Sequence, residues 1–366
     1  MSSTLKSRLL CGLSVAGIVV SLTTGSAHAQ CAPFCHTATE WSHGRVINLG
    51  GLPGFIESDA NGINDAGTVV GSSSGSGVPA AFSLATEWSH GKVINLGTLP
   101  GTTFSEAFGI NNVGQVVGES DDIATEWSHG KVINLGGLPG SGVSQAKAIN
   151  DVGQAVGQSD QTAVEWSHGK VINLGGLPGS NFSAAFGIND AGQAVGESDD
   201  AAGDDFAVEW SHGKVINLGG LPGSNFSAAF GINDAGQAVG QSAPPSGGGV
   251  FTSLATEWSH GKVINLGTPP GSFSIANGIN DAGQAAGFTD DTATEWRHGK
   301  VINLGTLPGF FESFANGIND AGQAVGSSVG TIPETSTWAM MLIGFAGLGF
   351  IGMQSAGRRR RTACNA

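Results

Sequence analysis

Seven near-copies of one passage occupy most of this 366-residue chain, and that repetition constrains its fold more than any other feature. Aligned on Glu-Trp pairs, the copies place tryptophans at Trp41, Trp88, Trp127, Trp166, Trp210, Trp258 and Trp296, in steps of 38 to 48 residues. A mean step of about 42 residues lies in the range of one four-stranded propeller unit.

The copy at 163–198 reads AVEWSHGKVINLGGLPGSNFSAAFGINDAGQAVGES, and two hairpins are legible in it. His168-Gly169 separates two β-rich runs as a two-residue loop whose glycine tolerates the positive φ of a primed turn. That loop sets Trp166 opposite Val171, an aromatic against β-branched pair worth about 0.2–1 kcal/mol. Asp190-Ala191-Gly192 reads as a type I turn closed by a left-handed glycine, and Asn189 suits the position before it. The same glycine recurs as Gly67, Gly114, Gly153, Gly236, Gly283 and Gly322, so the repeats themselves expose a backbone requirement.

With 61 glycines, no tyrosine and only 12% charged residues, the chain is turn-rich and β-rich rather than helical or disordered. The expected fold is all-β, a seven-bladed β-propeller of four-stranded repeats spanning 30–330. Isolated hairpins are marginal in water, and a solenoid needs distinctive capping units that this sequence lacks. A closed ring leaves only protected edges. The phase stays open at this stage. Either each Asn-Asp hairpin pairs with the Trp hairpin after it, so that the first and last hairpins of the chain jointly supply the seventh blade, or all seven blades are continuous and the ring closes by packing.

The two ends have a different character. Residues 1–29 carry Lys6 and Arg8, an apolar run over 9–22, and Ala27-His28-Ala29 ahead of Gln30, the pattern of a signal peptide cut by signal peptidase. Gln30 before Cys31 does not suit a lipoprotein signal. Cys31 and Cys35, in CAPFC, suit a short disulfide loop in an oxidising compartment, since a structural zinc site would need two more ligands nearby. Residues 331–366 form a tail in which Pro333-Glu334 precedes an apolar run over 337–353, at the short end for a membrane helix. Arg358, Arg359, Arg360 and Arg361 follow and would hold that end in the cytoplasm.

Formal charge is -14, yet all six of those terminal Lys and Arg residues lie outside the repeats. The middle therefore keeps nine basic residues against 28 acidic ones, only Glu334 lying elsewhere. Such a body repels nucleic-acid phosphates and anionic lipid, so nucleic acid is not an expected partner.

The tail resembles the PEP-CTERM sorting signal of Gram-negative bacteria, also described as the C-terminal domain of certain ice-binding proteins. Pro333-Glu334 matches its first positions, Trp338-Ala339-Met340 its continuation and Arg358 to Arg361 its basic end. Thr335 replaces the usual second proline, and TACNA extends past the arginines. The resemblance implies recognition by an exosortase-type enzyme, cleavage near the motif after transient inner-membrane anchoring, and a final place at the cell surface or outside it. The body, over 39–328, resembles the HAF-type bacterial extracellular repeat through AFGIND.GQ.VG.S, with Ala184-Ala185-Phe186 and Glu106-Ala107-Phe108 in place of the His-Ala-Phe triplet. That resemblance carries no catalytic residue onto this chain.

Candidate chemistry within the repeats is sparse. His43, His90, His129, His168, His212, His260 and His298 each occupy a hairpin loop and read as turn residues, too widely spaced to share a zinc ion at bond lengths of about 2.0–2.1 Å. Tryptophan faces can stack on sugars, but packing between blades is their expected use. Acidic pairs collect in the loops of the other rim: Asp121-Asp122, Asp199-Asp200, Asp204-Asp205 and Asp290-Asp291. They read as solvated charge or as weak ligands for calcium, the one cofactor the composition suggests, although none has D-x-D-x-D-G spacing. Ser167-His168 are neighbours in a tight turn without a third orienting group, and neither a phosphate loop nor H-E-x-x-H occurs. The expected role is therefore non-enzymatic: an exported cell-surface or extracellular-matrix protein that binds or organises exopolysaccharide or other envelope components. The alternative is an extracellular polysaccharide hydrolase or lyase on a propeller scaffold, which requires carboxylates clustered at the central tunnel.

Overall fold

The computed structural model describes residues 35–75, 82–243, 253–268 and 271–330. The signal segment with Ala27, Ala29, Gln30 and Cys31 lies outside the described residues. So does the tail from 331, with Pro333, Glu334, Trp338, the 337–353 run and Arg358 to Arg361. Among the described residues no helix is long and apolar enough to cross a membrane.

The described chain is all-β, with seven four-stranded antiparallel units. In chain order, sheets one to six comprise 57–95, 106–134, 144–173, 183–217, 226–265 and 274–303. Sheet seven joins Phe310–Ile318 and Ala324–Gly330 from the far end to Cys35–Ser42 and Arg45–Asn48 from the near end. Cys35 pairs with Gly330 and Trp41 with Ala324 in that sheet. The phase is thereby decided: each Asn-Asp hairpin pairs with the Trp hairpin that follows it, and the seventh unit is shared by the two ends. A single parallel bridge between Asp205 and Phe226 links sheets four and five.

Local sequence accounts for each strand. In the third strand Thr162–Ser167, the β-rich run TAVEWS buries Ala163, Val164 and Trp166. The fourth strands, such as Lys170–Asn173, are four residues long and carry a lysine or arginine, which blunts the outer edge of every sheet. Trp166 faces Val171 across the ladder as expected. At the turn between them both His168 (φ 52) and Gly169 (φ 73) are left-handed, a type I′ turn, so the histidine as well as the glycine takes the disfavoured conformation.

Seven separate apolar layers make the core, each drawn from two neighbouring sheets. Val117 and Ala124 of sheet two meet Ala146, Val164 and Trp166 of sheet three, and Ala38 and Val325 of sheet seven meet Ala60, Val69 and Trp88 of sheet one. Alanines dominate because the sheets approach closely. Polar bonds cross the same layers: Ala163 N donates to the buried Ser183 Oγ at 3.0 Å, and Trp166 Nε1 donates to Gly136 O at 3.0 Å. Six of the seven tryptophans make this second bond. Trp296 Nε1 is buried with no partner among the described residues. Trp166→Phe is therefore expected to cost about 1–3 kcal/mol more in urea unfolding than Trp296→Phe, because only the first leaves a carbonyl without its donor.

Candidate functional site

The first strands of all seven sheets converge on one axis. Each contributes an Ile-Asn-Asp or Ile-Asn-Asn step to a single mouth, which encloses about 260 Å³. The asparagines there are buried and bridge every sheet to the next. Asn189 Nδ2 donates to Asn233 O at 3.0 Å, Asn233 to Asn280 O, Asn280 to Asn319 O, and Asn319 to Asn64 O. Asn64, Asn111 and Asn150 complete the circuit through Asn111 O, Asn150 O and Asn189 O.

A second circuit sits just outside it. Asp151 N donates to Asp190 Oδ1 at 2.8 Å, Asp190 N to Asp234 Oδ1 at 2.9 Å, and so on around to Asp320 N and Asp65 Oδ1. Asn112 replaces one aspartate, and its Nδ2 reaches Asp65 Oδ2 at 2.8 Å and Asp151 Oδ2 at 3.1 Å. Burial and mutual repulsion raise Asp190 and Asp320 above the usual carboxylate range, against the opposing backbone bonds. Each carboxylate acts first as a cap on the neighbouring turn. Among the described residues, no three His, Cys, Asp or Glu side chains form a group that could hold a metal.

The other end of the axis is uneven. A cavity of about 380 Å³ is lined by the residue in the variable slot of the repeated A-x-G-I step. In every first strand that slot is the extra residue of a bulge, as between Ala185 and Gly187 or Ala229 and Gly231. Its occupants are Asn61, Asn277 and Asn316 on one arc, with Phe108, Phe186 and Phe230 flanking Lys147 on the other. Lys147 Nζ lies 3.8 Å from the Phe108 ring centroid. Burial lowers its pKa while Glu119 and Glu106 pull it back up. Those two glutamates face each other across the first and second strands of sheet two. Burial raises both, opposed by donors at 3.2 Å from Asn61 to Glu106 and 2.6 Å from Gln145 to Glu119.

The residues singled out in the sequence lie elsewhere. All seven turn histidines are exposed. In six units the preceding serine hydroxyl and His Nδ1 are 2.8–2.9 Å apart, as in Ser167-His168, so the adjacent pair does hydrogen-bond, within its own turn. Arg297 takes the serine's place before His298. The seven tryptophans are buried between sheets rather than open for stacking on a sugar.

The acidic pairs are structural acceptors. Asp121 takes bonds from the Thr103 and Phe104 amides, Asp199 from Asn181 and Phe182, and Asp290 from Phe273. Asp200 caps the amides of Ala202 and Asp204. Asp205 is raised by burial and by neighbouring Asp199, Asp204 and Asp200. Asp122 O and Asp291 O accept from Ser144 and Ser313 across the link. Cys35 is buried and disulfide-bonded; the other cysteines, Cys31 included, lie outside the described residues.

Neither mouth was legible as a site in the sequence. Ile-Asn-Asp recurs in the turn region of nearly every unit and reads as turn chemistry, because only the packing of the sheets brings seven copies together. The variable slot did carry a signal: a changing residue inside an A-x-G-I-N step that is otherwise constant but for Ala148. No protein-family model matches the chain, and no curated protein matches it.

Proposed function

We propose that this chain is a seven-bladed β-propeller exported to the cell surface or extracellular matrix, where it serves as a binding module for envelope components. The circuit of seven asparagine bonds that returns from Asn319 to Asn64 is the observation that supports a closed ring. The uneven cavity supports binding, since identical units would have no structural need for phenylalanine, lysine and asparagine in one slot. Export rests on the order of signal segment, repeats and sorting tail in the sequence.

The test is fractionation of full-length protein, tagged within residues 244–252, in a Gram-negative host with and without an exosortase-type enzyme. Both ends are expected to be removed and the body recovered at the surface or in the medium. Protein retained in the cytoplasm with both ends intact would sink the reading.

One observation favours the alternative of a polysaccharide hydrolase or lyase: Glu106, partly buried, and Glu119, buried, are opposed carboxyls near Lys147, and burial raises the pKa of both. Release of reducing or unsaturated ends from extracellular polysaccharide, abolished by Glu106→Gln, is the result that reading requires.

A further inference from the structure

Within each repeat the step before the Asn-Asp turn is nearly constant, while one slot inside it changes from unit to unit. The bulge at that slot turns the changing side chain into the axial cavity. A packing residue repeated seven times would be expected to stay the same, as the flanking alanine does at Ala60, Ala107, Ala146, Ala185, Ala229, Ala276 and Ala315. Within the A-x-G-I step, variation falls at the slot that faces the cavity, apart from Ala148, which takes the glycine's place beside Lys147.

The chemistry of the slot is divided in two. On the polar arc, Asn277 Nδ2 donates to Ala315 O at 2.8 Å, Asn316 Nδ2 to Ala60 O at 2.9 Å and Asn61 Nδ2 to Ala107 O at 2.9 Å. With their amino groups held this way, the three Oδ1 atoms accept no hydrogen bond from described residues and remain as a row of acceptors. On the facing arc, Phe186 and Phe230 lie 5.5 Å apart between centroids, tilted by 50°. Beside them Lys147 makes no hydrogen bond and no ion pair with any described residue, so its ammonium donors are available to the cavity. It is also the only Lys or Arg between residues 30 and 330 that lies outside a Trp hairpin.

A ligand matching these features carries several hydroxyls that can donate to the asparagine oxygens and accept from Lys147. It also has a C–H face to lie on electron-rich aromatic rings. It is small, because 380 Å³ is near the low end for ligand pockets, about 300–1,000 Å³. It is uncharged, because Glu106 and Glu119 already oppose the Lys147 charge and the chain as a whole carries -14. We infer that the axial cavity between Lys147, Phe230 and the Asn61–Asn277–Asn316 arc binds a single neutral hexose unit. This rests on the proposed binding role and names its ligand class.

The experiment uses purified full-length protein, with D-glucose, D-galactose, D-mannose and N-acetyl-D-glucosamine as neutral probes and D-glucuronate as the anionic comparator. Titration calorimetry and saturation-transfer NMR give the readouts. At least one neutral sugar is expected to bind with Kd of about 1 mM or tighter, and glucuronate about tenfold more weakly than glucose. Lys147→Met and Phe230→Leu, each checked for native near-ultraviolet circular dichroism, are each expected to weaken binding about tenfold. Lys170→Met, on an outer hairpin, is expected to leave it unchanged.

Absence of binding by every neutral sugar at about 10 mM overturns the assignment. So does binding that both cavity variants retain, or a preference for glucuronate. These outcomes bear on the cavity alone, whereas cytoplasmic retention of the intact chain would overturn the envelope role and leave a measured hexose affinity standing.

Discussion

Gly196→Ala is expected to destabilise the protein by about 3 kcal/mol or more, enough to shift the urea midpoint sharply. A Cβ at this second-strand position would lie 1.9 Å from Ala184 O, a backbone atom fixed in the paired first strand. The bulge at Phe186 is what brings that carbonyl so close. The same contact recurs at Gly71, Gly118, Gly157, Gly240, Gly287 and Gly326, so the corresponding alanine variants should behave alike. Gly169→Ala is the matched comparison: its Cβ would meet nothing within 4 Å, and the cost is limited to a left-handed φ of 73, about 1 kcal/mol. Similar midpoints for the two variants would show that close approach at the bulge is not what demands glycine.

Glu197→Gln is expected to make the protein more stable at pH 8 and to leave it nearly unchanged at pH 4. Burial, with repulsion from Asp205, pushes Glu197 up to about 7 from an ordinary 4.5. A carboxyl raised in the folded state favours folding while both states are protonated, below about 4.5. It loses that advantage as pH climbs through about 7, where the folded protein must ionise a buried group that the unfolded chain ionises freely. The wild type should therefore lose on the order of 2–3 kcal/mol from this group between those limits. Asp190, Asp320, Glu106 and Glu119 are raised as well and add to the same slope, so the difference between wild type and variant isolates the Glu197 share. Parallel pH profiles for the two would mean that Glu197 is solvated in the folded state.

The glutamine that precedes each second strand shows how a regular repeat tolerates local exceptions. In sheet four Gln193 Nε2 donates to Glu209 Oε1 at 2.9 Å, and five other units keep that pair. In sheet one Thr68 replaces the glutamine, and Glu87, without an amide donor, is raised by burial. The unit still forms because its turn, its bulge and its small interface alanines are intact.

Much of the local structure was legible because it depends on neighbouring residues. Trp166 against Val171, the Asp190-Ala191-Gly192 turn and the short lysine-bearing edge strands follow from side-chain alternation and turn chemistry alone. The left-handed histidines were less visible, since a histidine at positive φ is uncommon, though its serine neighbour bonds to it in six units. Ser183 and its six counterparts drew no reading from the sequence, and only their burial against the neighbouring sheet's amides reveals a structural role.

The sequence by itself determined the repeating unit, its two hairpins and the glycines of its turns, because these are set by interactions over a few residues. Three matters were left to the tertiary structure: the pairing of the first hairpin with the last, the gathering of seven Asn-Asp steps at one mouth, and the turning of one variable slot into a shared cavity. Each involves groups far apart in the chain, from Asn319 to Asn64 or from Asn316 to Ala60, whose meeting depends on how the seven sheets pack together.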